Sequence, residues 1–265
     1  MFEWTKLTTV PLIKEKVCYV WRVKTHAYHP DYEDILTHEE VQRAQRYRQE
    51  IDRKQFVLGA VLTRVILGKE LAIDPRDIRI IRTCPTCDKL HGQPRLPAEN
   101  IYWSVSHSGE EVVVAFSRCL RVGIDIEKIQ PDMKDLPVST ILNHEEQDHF
   151  NHVLPADKPN VFYTYWTRKE AVLKALGTGF SQSPKSVHFT STDDDRINWI
   201  KSEPKGDSKK AGGQIIDLPL GEYYKGALAL LNGDAQDIRI LNGTYLLAQI
   251  SCKESDLKLS RHRYD

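Results

Sequence analysis

The alternation of apolar and polar residues in the N-terminal part of the chain predicts one strand followed by two helices. Residues 17–23 are rich in β-branched and aromatic side chains, which is typical of a strand. Thr37 to Glu40 have the sequence of a capping box and predict a helix that continues to about Arg48. Apolar residues with helical spacing between 52 and 71 predict a second helix with a buried face.

Strands dominate the pattern in the middle of the chain. Residues 77–82 alternate between apolar and polar side chains and predict a strand. Residues 101–105 and 112–116 predict a pair of strands around a turn at 106–109. Residues 122–127 predict a neighbouring strand, so we expect one sheet to gather the ends of these segments.

A long helix and several short strands follow. One or two short helices are predicted within 139–150, and a long helix extends from about Lys158 to Ala175, where Gly177 favours its end. Apolar alternation then predicts strands over 187–189, 197–200, 223–231, 238–241 and 245–250. The order of helices followed by strands thus occurs once before about residue 120 and again, loosely, after it.

The composition argues against several classes of protein. The chain has 265 residues, 40% of them hydrophobic, and its 37 basic side chains balance 37 acidic ones. This balance argues against a nucleic-acid partner, because proteins that bind nucleic acids carry basic patches or an excess of basic charge. No apolar run approaches the ~18 residues of a membrane span, and the first residues lack the pattern of a signal peptide. We therefore expect a cytoplasmic protein with no membrane partner.

The five cysteines do not form the pattern of a disulfide framework, because their number is odd and their spacing is wide. Cys84 and Cys87, followed by His91, form half of a zinc-binding pattern. A structural zinc site needs four ligands, and the sequence contains no second such cysteine pair. A turn of small and polar residues is therefore favoured here, and a small zinc-dependent interaction domain is kept as an alternative.

Two carboxylates, Asp125 and Glu127, fall on one face of the predicted strand 122–127, because side chains two residues apart point the same way. Two like charges held side by side repel each other unless a cation lies between them. On the long helix, Glu170 and Lys174 are four residues apart and share a face. Three carboxylates with a histidine and a lysine suggest a magnesium site that handles phosphate groups. An ordinary surface pair on the helix is the alternative.

Three sequence blocks occur in a fixed order along the chain. They are Ser-His-Ser at 106–108, Gly-Ile-Asp-Ile-Glu-Lys at 123–128, and Trp-x-x-Lys-Glu-Ala-x-x-Lys at 166–174. Any one block alone is a weak signal, but in this order and at these separations they resemble the Sfp-type 4'-phosphopantetheinyl transferases. The resemblance covers roughly residues 40 to 180 and is strong only in the three blocks.

The resemblance implies an α+β fold of two similar halves, related by a pseudo-twofold axis, with the active site at their interface. The N-terminal half, 1–120, is expected to bind coenzyme A, and the C-terminal half, 121–265, to hold the metal and the catalytic residues. The implied reaction transfers the 4'-phosphopantetheine arm of coenzyme A to a serine of an apo carrier protein and releases adenosine 3',5'-bisphosphate. Mg²⁺ is the implied metal, with Mn²⁺ as an alternative.

Roles for individual residues also follow from the resemblance. The metal ligands are expected to be Asp125, Glu127 and Glu170, and Glu170 is expected to act as a ligand, as a base toward the serine, or as both. Together with Glu170, Lys174 and His107 form the expected catalytic set. Contacts to coenzyme A are expected from Arg43, Arg46, Arg53, Gln93, Ser106, His107, Lys169 and Lys174. Gln93 stands where the family usually has a basic residue, so this contact lacks a charge, and Arg95 or Lys89 is the alternative source of a basic contact.

A non-catalytic module that binds coenzyme A or a nucleotide is the main alternative function. It would need only the basic segment and His107, so the presence of Glu170 and Lys174 favours an enzyme. The related trimeric holo-carrier synthases have about half this length, so two halves in one chain favour a monomer. The implied partners are acyl, peptidyl or aryl carrier proteins, which serve fatty acid, polyketide, nonribosomal peptide or lysine-related pathways.

Overall fold

The computed structural model describes most of the chain, namely residues 5–6, 9–82, 93–97, 99–132, 136–178, 182–189, 192, 196–200 and 210–249. Within them the strands form two sheets, and a long helix packs against each sheet. The α+β class expected from the sequence is confirmed. None of the helices in this part of the chain is both long and apolar enough to cross a membrane.

The first sheet has five strands: β1 (Thr5–Lys6), β2 (Val17–Lys24), β3 (Ile101–Ser108), β4 (Glu111–Arg118) and β9 (Asp237–Asn242). Their spatial order is β1-β9-β2-β4-β3. β4 pairs antiparallel with both β2 and β3, whereas β9 runs parallel to β1 and β2. β3 therefore forms one edge of this sheet.

The second sheet has four strands, all paired antiparallel: β5 (Arg121–Lys128), β6 (Arg196–Ile200), β7 (Lys210–Asp217) and β8 (Tyr224–Leu231). Their order is β5-β8-β7-β6, which leaves β5 at an edge. β3 and β5 are edge strands that lie next to each other, so the two sheets meet along these two strands.

The helices are α1 (His38–Gln45), α2 (Glu50–Leu71), α3 (Val138–Ile141), α4 (His144–His152) and α5 (Lys158–Leu176). Thr37 and Glu40 form the expected capping box at the start of α1. α5 ends at Gly177, whose φ of 74° lies in the left-handed region that terminates many helices. Short 3₁₀ helices occur at Thr25–Ala27, Pro30–Ile35, Pro75–Asp77 and Pro184–Ser186.

Three buried clusters form the core. One joins α2 to the first sheet and includes Trp21 and Trp103, and a second joins α5 to the second sheet. The third contains residues of both sheets, among them Val20, Ile124 and Ile126. Burial of these apolar side chains is the main favourable contribution to folding, and the third cluster fixes the two sheets relative to each other.

The strand predicted over 77–82 is not formed. A 3₁₀ helix begins at Pro75, and Ile81 makes only an isolated bridge. The buried guanidinium of Arg64 donates to the carbonyl oxygens of Pro75 and Ile78, at 2.8 and 3.3 Å. These carbonyl groups are thus bonded to a side chain and are not available for a strand ladder.

Two further strands, predicted over 187–189 and 245–250, are also wrong. Residues 187–189 follow the 3₁₀ helix Pro184–Ser186 without joining a sheet, and residues 243–249 are helical. The first sheet moreover contains β9, so the N-terminal half predicted to end at residue 120 lacks one of its own strands. The turn Cys84 to Cys87 lies outside the described residues.

Candidate active site

β5 carries the two strand carboxylates as the alternation predicts. Ile124 and Ile126 are fully buried in the core, and Asp125 and Glu127 point to the opposite face. Asp125 is 4% exposed, and its Oδ1 accepts hydrogen bonds from Ser106 Oγ at 2.8 Å and from Lys174 Nζ at 2.7 Å. Its other oxygen, Oδ2, is buried and has no hydrogen-bond partner among the described residues.

Glu127 is half-buried two residues further along β5, and its Oε2 accepts a hydrogen bond from Ser108 Oγ at 2.9 Å. Burial raises the pKa of Glu127 to about 7, and the negative charges of Asp125 and Glu170 add to this effect. Ser108 and Lys174 lower the pKa in part. Burial and the two neighbouring carboxylates thus outweigh the stabilisation that Lys174 and Ser108 give to the ionised form of Glu127.

α5 brings two more charged groups to β5. A Cβ atom on Gly123 would overlap the carbonyl oxygen of Ala171, so the backbones of β5 and α5 are in direct contact here. This contact places Lys174 Nζ 3.1 Å from the carbonyl oxygen of Ile124 as well as beside Asp125. Burial raises the pKa of half-buried Glu170, and the charge of Asp125 raises it further.

A basic cleft of about 180 Å³ lies next to this group of carboxylates. Arg43, Arg82 and His107 line it, together with the aromatic rings of Tyr47 and Phe56. The guanidinium of Arg43 lies over the Phe56 ring, 5.0 Å from its centre. The carboxylate of Glu40 also lines the cleft, but it is paired with Arg64. The three groups able to carry positive charge are therefore suited to bind an anionic ligand.

His107 connects the cleft with the carboxylates. Its side chain reaches solvent, but the pKa of His107 is lowered, mainly because the neighbouring protein removes part of its hydration. The positive charge of Lys174 lowers the pKa further, and Asp52 and Asp125 oppose this effect. His107 therefore lies within electrostatic reach of both the strand carboxylates and the helix lysine.

Arg82 belongs to the cleft but was missed by the sequence analysis. Burial lowers the pKa of Arg82, the positive charge of Arg43 lowers it further, and the negative charge of Glu40 opposes this effect. The sequence feature that could have indicated Arg82 is its position at the end of the segment 77–82, immediately before the turn-rich residues that precede Gln93. That segment was interpreted as an ordinary strand, and the phosphate contact was expected from Gln93.

Lys169 does not reach the site. Its ammonium is completely buried, where it pairs with Glu146 at 2.7 Å and donates to the carbonyl oxygens of Pro184 and Val187 at 3.1 and 2.6 Å. These contacts do not support the predicted contact of Lys169 with coenzyme A, because adjacent helix positions point in directions about 100° apart and the contacts of Lys169 are in the interior. Glu170 faces the strand, and Lys169 faces the interior.

Five further residues expected to bind coenzyme A lie outside the lining of the cleft, namely Arg46, Arg53, Gln93, Ser106 and Lys174. Arg46 is exposed at the end of α1, and Arg53 pairs with Glu33. The side-chain amide of Gln93 donates to the carbonyl oxygen of Lys174 at 3.1 Å, so it caps the end of α5. Ser106 lies beside Asp125, and it is part of β3 instead of the predicted turn, which is confined to residues 109–110.

Comparisons with known proteins match both halves of the chain. A family model described as "4'-phosphopantetheinyl transferase, N-terminal" matches residues 20–119, and one described as "4'-phosphopantetheinyl transferase superfamily" matches residues 121–216.

Relatives from distant organisms carry related names. The 4'-phosphopantetheinyl transferase HetI of Nostoc sp. is 27% identical over 67% of this chain and 75% of its own length. The 4'-phosphopantetheinyl transferase Sfp of Bacillus subtilis is 28% identical over 56% of this chain and 62% of its own. The human L-aminoadipate-semialdehyde dehydrogenase-phosphopantetheinyl transferase is 26% identical over 70% of this chain and 55% of its own, so the chain spans less than two thirds of the latter two relatives. The family expected from the three sequence blocks is confirmed, and the chain belongs to the 4'-phosphopantetheinyl transferase superfamily.

Proposed function

We propose that this protein transfers the 4'-phosphopantetheine arm of coenzyme A to a serine hydroxyl of an apo acyl or peptidyl carrier protein. The observation that carries the proposal is the junction of two complementary features. A cleft lined by Arg43, Arg82 and His107 adjoins a group of three carboxylates and one ammonium at the meeting point of the two sheets. The first feature suits an anionic substrate, and the second suits chemistry on a phosphate group.

The basic cleft is the proposed site for the phosphate groups of coenzyme A. Arg43 and Arg82 line the same cleft although both carry positive charge, and a bound phosphate would reduce their repulsion. His107 lies at the end of the cleft that faces Lys174, so it is placed to bond the phosphate nearest the reaction. We do not include Arg46, which does not line the cleft, or Arg53, Gln93 and Lys169, whose side chains bond other groups.

Asp125, Glu127 and Glu170 are the proposed ligands of Mg²⁺, with Mn²⁺ as a substitute. Among the described residues no three histidine, cysteine, aspartate or glutamate side chains are already arranged around one metal position. The residues nevertheless fit a hard cation, because Asp125 Oδ2 is buried without a partner and Glu127 has a raised pKa. Mg²⁺ prefers such oxygen ligands and, when bound, neutralises part of the charge of a pyrophosphate.

The protein's own residues supply the proton transfer and the charge stabilisation in the proposed reaction. The serine oxygen forms a bond to the phosphorus that carries the pantetheine arm, and the bond from that phosphorus to the adenosine 3',5'-bisphosphate breaks. Glu170 takes the hydroxyl proton, directly or through a water. The ammonium of Lys174 faces the leaving phosphate oxygen and stabilises its growing negative charge.

The names of the relatives support transfer of a phosphopantetheinyl group, and that of the human relative includes a specific dehydrogenase. The choice among fatty acid, polyketide, nonribosomal peptide and lysine-related carriers is tested by incubating the protein with apo carriers of each kind. The cytoplasmic location and the monomeric state remain predictions from the sequence.

Mass spectrometry of an apo carrier protein tests the proposed reaction directly. With coenzyme A and Mg²⁺, the carrier should gain the mass of one phosphopantetheine arm. Asp125→Asn should abolish the gain while circular dichroism remains unchanged, and the exposed Asp234→Ala should leave it intact. Binding of coenzyme A without any gain on all the carriers would instead establish the non-catalytic binding module. Transfer at the wild-type rate by Asp125→Asn would contradict the proposed metal site.

A further inference from the structure

Three serines of β3 join the two sheets along the strand edges where they meet. The Oγ atoms of Ser104, Ser106 and Ser108 accept hydrogen bonds from backbone N–H groups of β5. The distances are 3.1 Å from Ile124 N, 3.3 Å from Ile126 N and 3.0 Å from Lys128 N. Serine side chains at alternate positions thus satisfy the N–H groups that a neighbouring strand would satisfy with its carbonyl groups.

Two of these hydroxyls also bond the proposed metal ligands. A serine hydroxyl has one hydrogen to donate, and its lone pairs accept. The lone pairs of the Ser106 and Ser108 hydroxyls accept the N–H groups, so the hydroxyl hydrogens can donate. The Ser106 hydroxyl donates to Asp125 Oδ1 at 2.8 Å, and the Ser108 hydroxyl donates to Glu127 Oε2 at 2.9 Å. Each hydroxyl therefore holds one carboxylate side chain and a backbone group of β5 at once.

Ser104 differs from the other two serines in this respect. Its Oγ accepts a hydrogen bond from the N–H of Ile124 in the same way. The residue that precedes Ile124, however, is Gly123, which has no carboxylate for Ser104 to bind. The chain thus contains two serines that combine the sheet junction with a carboxylate contact and one that makes the junction alone.

We propose that Ser106 and Ser108 are positioning residues that orient Asp125 and Glu127 for the cation, an inference that depends on the proposed metal site. Binding of Ser106 to Oδ1 leaves Oδ2 of Asp125 as the open, buried oxygen. Binding of Ser108 to Oε2 holds Glu127 toward the same side of β5. Hydrogen bonds to metal ligands from neighbouring residues fix ligand orientation and commonly change metal affinity by 10- to 100-fold.

Direct binding of Mn²⁺ to the metal-free protein tests this role without any turnover. Free Mn²⁺ is followed by its electron paramagnetic resonance signal, and Mg²⁺ is added in competition. Ser106→Ala and Ser108→Ala should each weaken Mn²⁺ binding by about tenfold, and Ser104→Ala by less than about twofold. Ser108→Thr keeps the hydroxyl and should restore wild-type affinity.

Urea denaturation of the same variants separates orientation from general loss of structure. All three alanine variants should show a lower denaturation midpoint, because each loses a hydrogen bond from a backbone N–H of β5. Ser104→Ala should thus lose stability while it keeps its Mn²⁺ affinity. Equal Mn²⁺ affinity for Ser104→Ala, Ser106→Ala and Ser108→Ala would overturn the positioning role. Failure of the wild-type protein to bind Mn²⁺ would instead overturn the proposed metal site, and the inference with it.

Discussion

Gly123 of β5 and Ala171 of α5 touch backbone to backbone. A Cβ atom on Gly123 would overlap the carbonyl oxygen of Ala171 and would lie 2.5 Å from the backbone nitrogen of Ala175. The absent side chain allows the helix to approach the strand closely enough for Lys174 to reach Asp125. The first residue of the Gly-Ile-Asp-Ile-Glu-Lys block therefore sets the distance between the strand carboxylates and the helix residues.

Gly123→Ala should move α5 away from β5. Because the obstructing atoms are backbone, the added methyl group cannot be accommodated by a side-chain rotation, and we expect the free energy of unfolding to fall by about 2 to 3 kcal/mol. Transfer activity should fall at least about tenfold, since the geometry around Asp125 changes. Urea denaturation and the mass-based assay measure the two effects.

Gly243→Ala is the matched control for this substitution. The nearest atoms to its added methyl group would lie 3.3 to 3.5 Å away, and two of the three belong to the flexible side chain of Leu62. We expect activity close to that of the wild type. Equal losses of activity and stability in the two variants would show that the active site does not depend on the close contact of α5 with β5.

The periodic parts of the fold and the charged residues of the site could be predicted from the sequence. Alternation along 122–127 fixed the faces of Asp125 and Glu127, and helical spacing placed Glu170 and Lys174 together. The contact at Gly123 could not be predicted, because it depends on which helix packs on the strand. The three alternating serines of β3 were visible, but Ser106 and Ser108 were assigned to a turn and only Ser104 to the strand, which hid the fact that they share one face.

Tertiary contacts also overrode local patterns in several places. Residues 77–82 alternate like a strand, but Arg64 binds the carbonyl groups that a neighbouring strand would need. Residues 245–250 alternate as well, yet 243–249 form a helix whose Leu246 and Leu247 pack into the first cluster. Short apolar segments of this kind fit either structure, and only the packing decides between them.

Arg43 and Arg46 provide a matched pair for the coenzyme A site, since both lie near the end of α1 but only Arg43 lines the cleft. Arg43→Ala should raise the KM for coenzyme A about tenfold, the loss expected for one charge-assisted bond to phosphate. Arg82→Ala should act in the same direction, and Arg46→Ala should leave the KM within about twofold.

Dephospho-coenzyme A, which lacks the 3'-phosphate, locates the contact on the substrate. If Arg43 binds that phosphate, Arg43→Ala should change the KM for dephospho-coenzyme A by less than about twofold. The steady-state assay with both substrates provides the comparison. Equal increases for the two would place Arg43 on another part of the molecule, and a large effect of Arg46→Ala would show that the basic site extends beyond the cleft.

Lys169 and Glu146 form a buried ion pair that holds α4, α5 and the segment before residue 189 together. Lys169→Met leaves the Glu146 carboxylate buried without its counter-ion, so the free energy of unfolding should fall by about 3 kcal/mol. The exposed Lys185→Met should change it by less than about 0.5 kcal/mol. Lys169 lies in the interior, so the KM for coenzyme A should not change in the folded variant. A raised KM for coenzyme A in Lys169→Met, together with unchanged stability, would show that Lys169 contacts the substrate.

Glu127 should make the stability of the metal-free protein depend on pH. Burial raises the pKa of Glu127 from its ordinary value of 4.5 to about 7. Between these two pH values the folded protein keeps a proton that the unfolded chain has released. The free energy of unfolding contributed by this group therefore falls as the pH rises from about 4.5 to about 7.

The difference between wild type and Glu127→Gln isolates this contribution, because other titrating groups are common to both proteins. Across this pH range the free energy of unfolding of the wild type should fall by about 1 to 2 kcal/mol relative to that of the variant. This decrease is smaller than a fully buried carboxylate would give, because solvent screens a half-buried one. Saturating Mg²⁺ should abolish the loss, because a bound cation favours the ionised carboxylate. Urea denaturation at a series of pH values, with and without Mg²⁺, provides the measurement. A pH dependence identical in the two proteins would show that Glu127 is not held in a site that requires a cation.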